Sequence, residues 1–277
     1  MYIIAALLIV ASWGIHPAII RIGLGEVPTF HLLALRFLFT GLLFLPFAKL
    51  QKKDVLNLFT IAIFFNVIHL GLIFWGLNYL TSASSSSIQQ LQAPFSVLLA
   101  VFFLKERITL LQILGIFVAI AGVVVIRGVP ELHTIGFILT ILGSLAFSIV
   151  QINMKTMGKI DIATFTAYTS FFSLPFLVLL AYLFEDKVHW ENVEYNRLTI
   201  VLAYQVFILG FSTAIWQKLT ETKGVNKVIP FSLLTPVFAI IGGYIILSEI
   251  ITSHILIGMG LTIIGVALTI FFKPKTN

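Results

Sequence analysis

Polar positions in this chain fall mainly between ten long apolar runs. The runs are Tyr2–Ile20, His31–Phe47, Leu56–Leu77, Ser82–Leu104, Leu110–Ile126, Ile135–Asn153, Ala163–Phe184, Leu198–Gln217, Val228–Leu247 and Ser253–Phe272, here helices one to ten. Each can cross ~30 Å of hydrocarbon, the shorter ones with tilt or snorkelling at their ends. None shows the alternation over ~10 residues that marks a membrane β-barrel strand. Hydrocarbon offers no water to hydrogen-bond the backbone, so such runs must pair their amides internally as helices. The pattern predicts an all-α integral membrane protein. Its connections are short apart from Glu185–Arg197, which is acidic and polar. Pro17, Pro46, Pro94, Pro175 and Pro236 lie within or at the ends of runs, and each is expected to kink or break its helix by removing a backbone donor.

The chain also repeats itself. Leu104–Val123 and Leu247–Val266 share rare positions at a spacing of 143 residues: Glu106 with Glu249, Thr109 with Thr252, Gly115 with Gly258, and Gly122 with Gly265. Earlier segments pair at 134, Trp13 with Phe147 and Arg21 with Lys155, and the Glu185–Arg197 loop absorbs the difference. The repeat divides the chain into residues 1–128 and 129–277, two five-helix units of one compact body. Five is odd, so the second unit enters the membrane from the opposite side. The expectation is ten transmembrane helices as two inverted repeats, an arrangement suited to transport. Glu106 and Glu249 then mark helix ends on opposite membrane faces.

Charge adds orientation. Only 10% of residues are charged, against about 25% in a soluble domain. No carboxylate lies deep in a run. Lys49, Lys52, Lys53, Lys105, Arg107, Lys155, Lys159, Lys218, Lys223, Lys227, Lys273 and Lys275 fall on one side, and only Arg21, Arg127, Lys187 and Arg197 on the other. The positive-inside bias places both termini in the cytoplasm, in the cytoplasmic membrane if the source is bacterial. It also accounts for the basic pI of about 9.6 without nucleic acid, since no basic stripe is present. There is no cysteine, and the first run, lacking a basic n-region, reads as a retained helix rather than a signal peptide.

Several of these residues together resemble the drug/metabolite transporter superfamily, and within it the EamA-type ten-helix carriers. They are Trp13-Gly14, Leu35-Arg36-Phe37, Lys105-Glu106-Arg107-Ile108-Thr109 and the glycine-spaced helices five and ten. Gln90-Leu91-Gln92-Ala93, Ile215-Trp216 and the Pro230–Pro236 segment are similar to the O-acetylserine/cysteine exporter branch. His16 stands where the family usually has asparagine, and Gln151 lies near another such position. The resemblance implies a secondary carrier, with helices five and ten flanking its core as the candidate surface for a homodimer.

Polar residues inside the runs are the candidate substrate contacts, because an amide in hydrocarbon costs several kcal/mol, about 4–8, unless partnered. Helix four offers Gln89, Gln90 and Gln92 just before Pro94, helix three Asn66 and His69, helix one Trp13 and His16. Gln151, Tyr204, Trp216 and Ser232 complete the set. Interhelical bonding is the competing role for the amides. His16 and His69 are the candidates for proton coupling. Arg36, the one cation inside a run, either binds a substrate carboxylate or is structural.

The function expected is export of amino acids or similar small polar metabolites by alternating access. The alternative is exchange or efflux of a larger metabolite or drug-like compound, such as a nucleotide sugar or an S-adenosyl compound. No nucleophile–base pair, metal-ligand cluster or P-loop is visible, so neither an enzyme nor a cofactor or metal is expected.

Overall fold

The computed structural model describes residues 2–128, 133–156 and 160–272. Of the basic residues counted for orientation, Lys159, Lys273 and Lys275 lie outside these, as does the Lys155 side chain. Among the described residues ten helices are long and apolar enough to cross a membrane, and no strand occurs. They are Tyr2–Leu24, Thr29–Phe47, Lys52–Leu77, Ser82–Leu104, Leu110–Arg127, Thr134–Thr156, Ile162–Phe184, Tyr195–Lys223, Ile229–Leu247 and Ser253–Phe271. Helix eight outlasts its predicted end at Gln217, because nothing stops it before Gly224, whose φ of 89° favours glycine. Ten passes bring Tyr2 and Phe272 to one face, called the terminal face below; the opposite one is the far face.

Helix starts are capped as the sequence allows. Thr81, Thr109 and Thr252 each accept a backbone N–H from the first turn of helices four, five and ten. Asp161 caps helix seven, its Oδ1 accepting from Ala163 N at 2.9 Å and Thr164 N at 3.1 Å. Slight burial opposes the charged form of Asp161. The Thr164 hydroxyl, the two amides and the Lys49 charge outweigh it and hold the carboxyl below its ordinary value. A depressed carboxyl contributes stability above its unfolded pKa, and that contribution fades as pH falls through the folded one. Asp161→Ala should therefore cost about 0.5–2 kcal/mol at neutral pH. The deficit should shrink in acid, as thermal unfolding across pH would show.

The prolines act unequally. Helices one and seven run on through Pro17 and Pro175, each helix spared a break by giving up only one rung. Helix four does break, but at Gln90–Leu91, upstream of Pro94, where ψ values of −18° and −13° tighten the turn. It resumes as Gln92–Leu104 and ends on Lys105 in left-handed conformation, φ 54°. Helix nine does the same: a 3-10 stretch Ile229–Leu234, then Thr235–Leu247, then Ser248 at φ 53°. Both second segments have 13 residues, and both the preceding Leu91 and Leu234 and the terminal Lys105 and Ser248 are 143 residues apart. Glu106 N donates to Ala100 O, and Glu249 N to Gly243 O, also at this spacing. Helices three and eight each carry a π-helical stretch, Ala62–His69 and Tyr204–Ile208.

Helices five and ten make the closest crossing. A Cβ on Gly115 would lie 2.6 Å from Gly265 O and one on Gly265 2.6 Å from Gly115 O. Gly122 and Gly258 face each other's carbonyls at the same distance. The glycine faces are thus used against each other within the chain, while Leu114, Phe117, Leu256 and Ile264 look outward. Helix two packs on seven, helix one on eight and nine, and helix six on three and four. Helix nine lies on the first segment of helix four, Ser82–Gln89, whose serines are all buried.

Candidate functional site

The polar residues at mid-depth gather where helices one, two, three and eight converge. Counting from the far-face ends, His16 lies eight residues before Leu24, Arg36 seven after Thr29, and Tyr204 and Gln205 nine and ten after Tyr195. At 1.5 Å per residue these are depths of about 10–15 Å. Tyr204 and Gln205 begin the π-helical turn of helix eight, a device that widens the helix and is frequent at functional sites. The His16 ring stacks beside Tyr204, centroids 6.3 Å apart, and meets Phe74 edge-on at 6.0 Å. Phe74 also lies 5.8 Å below the Arg36 guanidinium, with Phe37 at 5.2 Å. Phe74 thus touches both the Arg36 guanidinium and the His16 ring.

Trp13 and Trp216 form a second, adjoining group. Their rings are 4.9 Å apart, and the Trp13 indole N–H donates to Ser212 Oγ at 3.1 Å. The Tyr204 hydroxyl donates to the Ser12 carbonyl, tying helix eight to helix one a turn away. Gly14 lets helix one approach helix nine, where a Cβ would lie 2.6 Å from Thr235 O.

The remaining sequence candidates divide by what holds them. Asn66 donates to Thr169 O at 3.0 Å, and His69 Nδ1 lies 2.8 Å from Gly143 O. These contacts fasten helix three to helices seven and six. Ser96 Oγ lies within hydrogen-bond reach of both Gln151 Oε1 and Gln92 O and can donate its one hydrogen to either, while Ser148 Oγ reaches the same Gln92 carbonyl at 2.9 Å. Hydroxyls thus satisfy backbone near the proline break. Gln89 bonds Ser85 Oγ at 3.2 Å, and Ser232 its own turn at Ile229 O. The side chains of Gln90 and Gln92 are half-buried and make no hydrogen bond with another described residue. In the tight turn at Gln90–Leu91, Gln89 and Gln92 remain on one face, since residues three apart eclipse in such geometry.

Three contacts missed in the sequence close the far face, each joining residues before 128 to residues after it. Glu249 is buried and pairs with Arg21, and its carboxylate also accepts from Ser82 N at 2.9 and 3.0 Å and Ser82 Oγ at 2.9 Å. It thereby caps helix four, where the N-terminal dipole favours an anion. Glu185 accepts from Phe30 N at 2.7 Å and lies 2.8 Å from His31 Nδ1, capping helix two in the same way. Glu26 accepts from Glu194 N at 2.8 Å and lies 3.6 Å from Arg197. A small open depression lined by Arg21, Leu24, Gly25, Leu77 and Asn78 sits at this mouth, apart from the mid-depth cluster. The sequence showed Glu249 only as a helix end. Its rarity in the repeat was the signal, but nothing there named Arg21 or Ser82 as its partners.

Ten apolar helices surrounding a buried polar cluster, with Arg36 the one charged side chain at its depth among the described residues, define a multi-pass membrane protein. The family model for the EamA-like transporter family matches residues 1–128 and 134–271, and the chain belongs to that family. A probable amino-acid metabolite efflux pump of Salmonella typhimurium is 28% identical, the match covering 96% of this chain and 93% of that one. The Escherichia coli protein of the same name is 25% identical over 97% and 94%. An uncharacterized transporter of Archaeoglobus fulgidus is 25% identical over 95% and 96%. One solved crystal structure shares the fold, with a TM-score of 0.65 at 18% identity, covering 96% of this chain and 98% of its own.

Proposed function

We propose that the protein exports amino acids or similar small polar metabolites across the cytoplasmic membrane by alternating access of two inverted five-helix halves, with both termini in the cytoplasm. The paired breaks in helices four and nine carry this reading. They match in position, segment length and left-handed ending at a spacing of 143 residues. A break of this kind exposes backbone at membrane depth, which is tolerated only against protein or a cavity. The reciprocal glycines of helices five and ten support a twofold relation between the halves. The polar metabolite is supported by the efflux-pump relatives and by the mid-depth residues. Gln90, Gln92, Trp13, Trp216, Tyr204 and His16 face the pathway in this scheme. Asn66, His69 and Gln151 position the helices around it. With far-face contacts made, the chain is closed outward, and release requires Arg21–Glu249 to part.

The test is counterflow of a radiolabelled panel of amino acids and small metabolites in proteoliposomes, with and without a pH gradient. Small polar solutes are expected to exchange. Gln92→Ala should fold normally and exchange about tenfold more slowly, the loss of one buried hydrogen bond to a ligand. A panel in which nothing small and polar moves overturns the function, and full activity in Gln92→Ala removes helix four from the pathway. A pH-gradient effect abolished in His16→Gln, but kept in His69→Gln, assigns coupling to the histidine whose Nε2 is unpartnered.

A further inference from the structure

Among the described residues, five buried side-chain atoms find no hydrogen-bond partner: His16 Nε2, Arg36 Nη1, Thr40 Oγ1, and both Nε2 and Oε1 of Gln205. They are not scattered. Phe74 touches both the Arg36 guanidinium and the His16 ring, Gln205 directly follows Tyr204, whose ring stacks beside His16, and Thr40 follows Arg36 by one helical turn, on the same side of helix two. Thr40 is 7% exposed and Gln205 2%, so water at the protein surface does not serve them. Buried polar atoms are nearly always paired, and the unpaired Nη1 of half-buried Arg36 belongs to the one permanently charged group among them.

From this convergence we infer that Arg36, Thr40, His16 and Gln205 form a subsite for the carboxylate and amino groups of a small zwitterionic amino acid. The inference rests on the carrier function proposed above and names the part of the substrate that the site reads. Arg36 supplies a planar fork of N–H donors that a carboxylate oxygen pair matches, and the Phe37 and Phe74 rings lie 5.2 and 5.8 Å from its guanidinium. Thr40 Oγ1 and Gln205 Nε2 can each add a donor to the same carboxylate. Gln205 Oε1 and His16 Nε2 are the acceptors for an ammonium group. Among the described residues no Asp or Glu forms an ion pair with Arg36 or His16, and Arg36 carries the site's formal charge. A ligand of net charge zero or −1 fits, and one with a second cationic group leaves two positive charges facing each other.

The measurement is tryptophan-fluorescence titration of the purified full chain, read from Trp13 and Trp216, with L-alanine, L-serine, their carboxamides and methyl esters, and L-lysine. The free amino acids should bind at least about tenfold more tightly than the amides and esters, and than lysine, the factor that one charge-assisted pair supplies. Arg36→Gln should lose that preference while still binding the amides, and Arg36→Lys should keep part of it. Should Arg36→Gln not fold, Thr40→Val and Gln205→Leu, near in size to the residues they replace, should each reduce the acid-to-amide ratio several-fold. Equal binding of acids and amides by the parent, binding of no acid at all, or an unchanged ratio in Thr40→Val and Gln205→Leu overturns the subsite. The carrier reading is judged separately: counterflow of any small polar solute leaves it standing when the subsite fails, and its own failure appears as absent counterflow.

Discussion

Glu249→Gln is expected to slow counterflow by about tenfold or more while leaving the protein folded. Glutamine keeps the shape of the side chain and an oxygen to accept from Ser82, but it removes the charge that faces Arg21. Removing one partner of a largely buried pair costs about 3–5 kcal/mol in favourable cases, and less here because Arg21 is 34% exposed. Even about 2 kcal/mol shifts a balanced two-state equilibrium roughly thirtyfold, which starves a cycle that must visit both states. The chain has no cysteine, so a single introduced thiol reports the far face without interference. Ala83→Cys places one in a buried position beside the latch. It should react slowly with an aqueous thiol reagent in the parent background and faster with Glu249→Gln added. Unchanged labelling and unchanged counterflow would show that the contact merely decorates the surface.

The second large effect is on stability. A Cβ at Gly122 would stand 2.6 Å from Gly258 O and from Thr262 N, both backbone atoms of helix ten. Neither can swing aside as a side-chain tip would. Overpacking costs about 1–3 kcal/mol where neighbours can adjust. Gly122→Leu should exceed that range and leave little monodisperse protein after extraction, whereas Gly260→Leu, with nothing within 4 Å of its Cβ, should melt like the parent. Size-exclusion profiles and thermal unfolding of both variants decide it. Matching behaviour of the two would mean the crossing is looser than its geometry indicates.

What the sequence conveyed depended on how local the physics was. Ten helices were legible because hydrocarbon enforces internal backbone pairing run by run, whereas Thr109 and Thr252, read only as matched positions of the repeat, turn out to cap helices five and ten. The family followed from the order of motifs such as Trp13-Gly14 and Leu35-Arg36-Phe37. The break in helix four was foreseen at Pro94 and occurs upstream, because the tight turn forms where Gln90 and Leu91 lose regular support, not at the ring itself. The π turns of helices three and eight carry no proline or glycine, and periodicity did not reveal them. Gln205 and Thr40 were readable as polar groups in apolar runs, as Gln92 was. Their convergence on Arg36 needed the packing of helices one, two and eight. Asn66 and His69 gave the same sequence signal, yet both meet carbonyls of neighbouring helices. A polar residue in a membrane run announces a need for a partner, and only the fold says whether the chain itself provides one.

The crossing of helices five and ten has one more consequence. Because Gly115 abuts the carbonyl of Gly265 and Gly265 that of Gly115, a side chain gained at either position intrudes on the same point of contact. Gly122 and Gly258 are bound in the same manner. Neither stretch can therefore accumulate substitutions on its own schedule: a change tolerated here demands an answering backbone shift more than a hundred residues along the chain. Two parts of one polypeptide are held to a common history by four hydrogen atoms, those that stand where β-carbons would be.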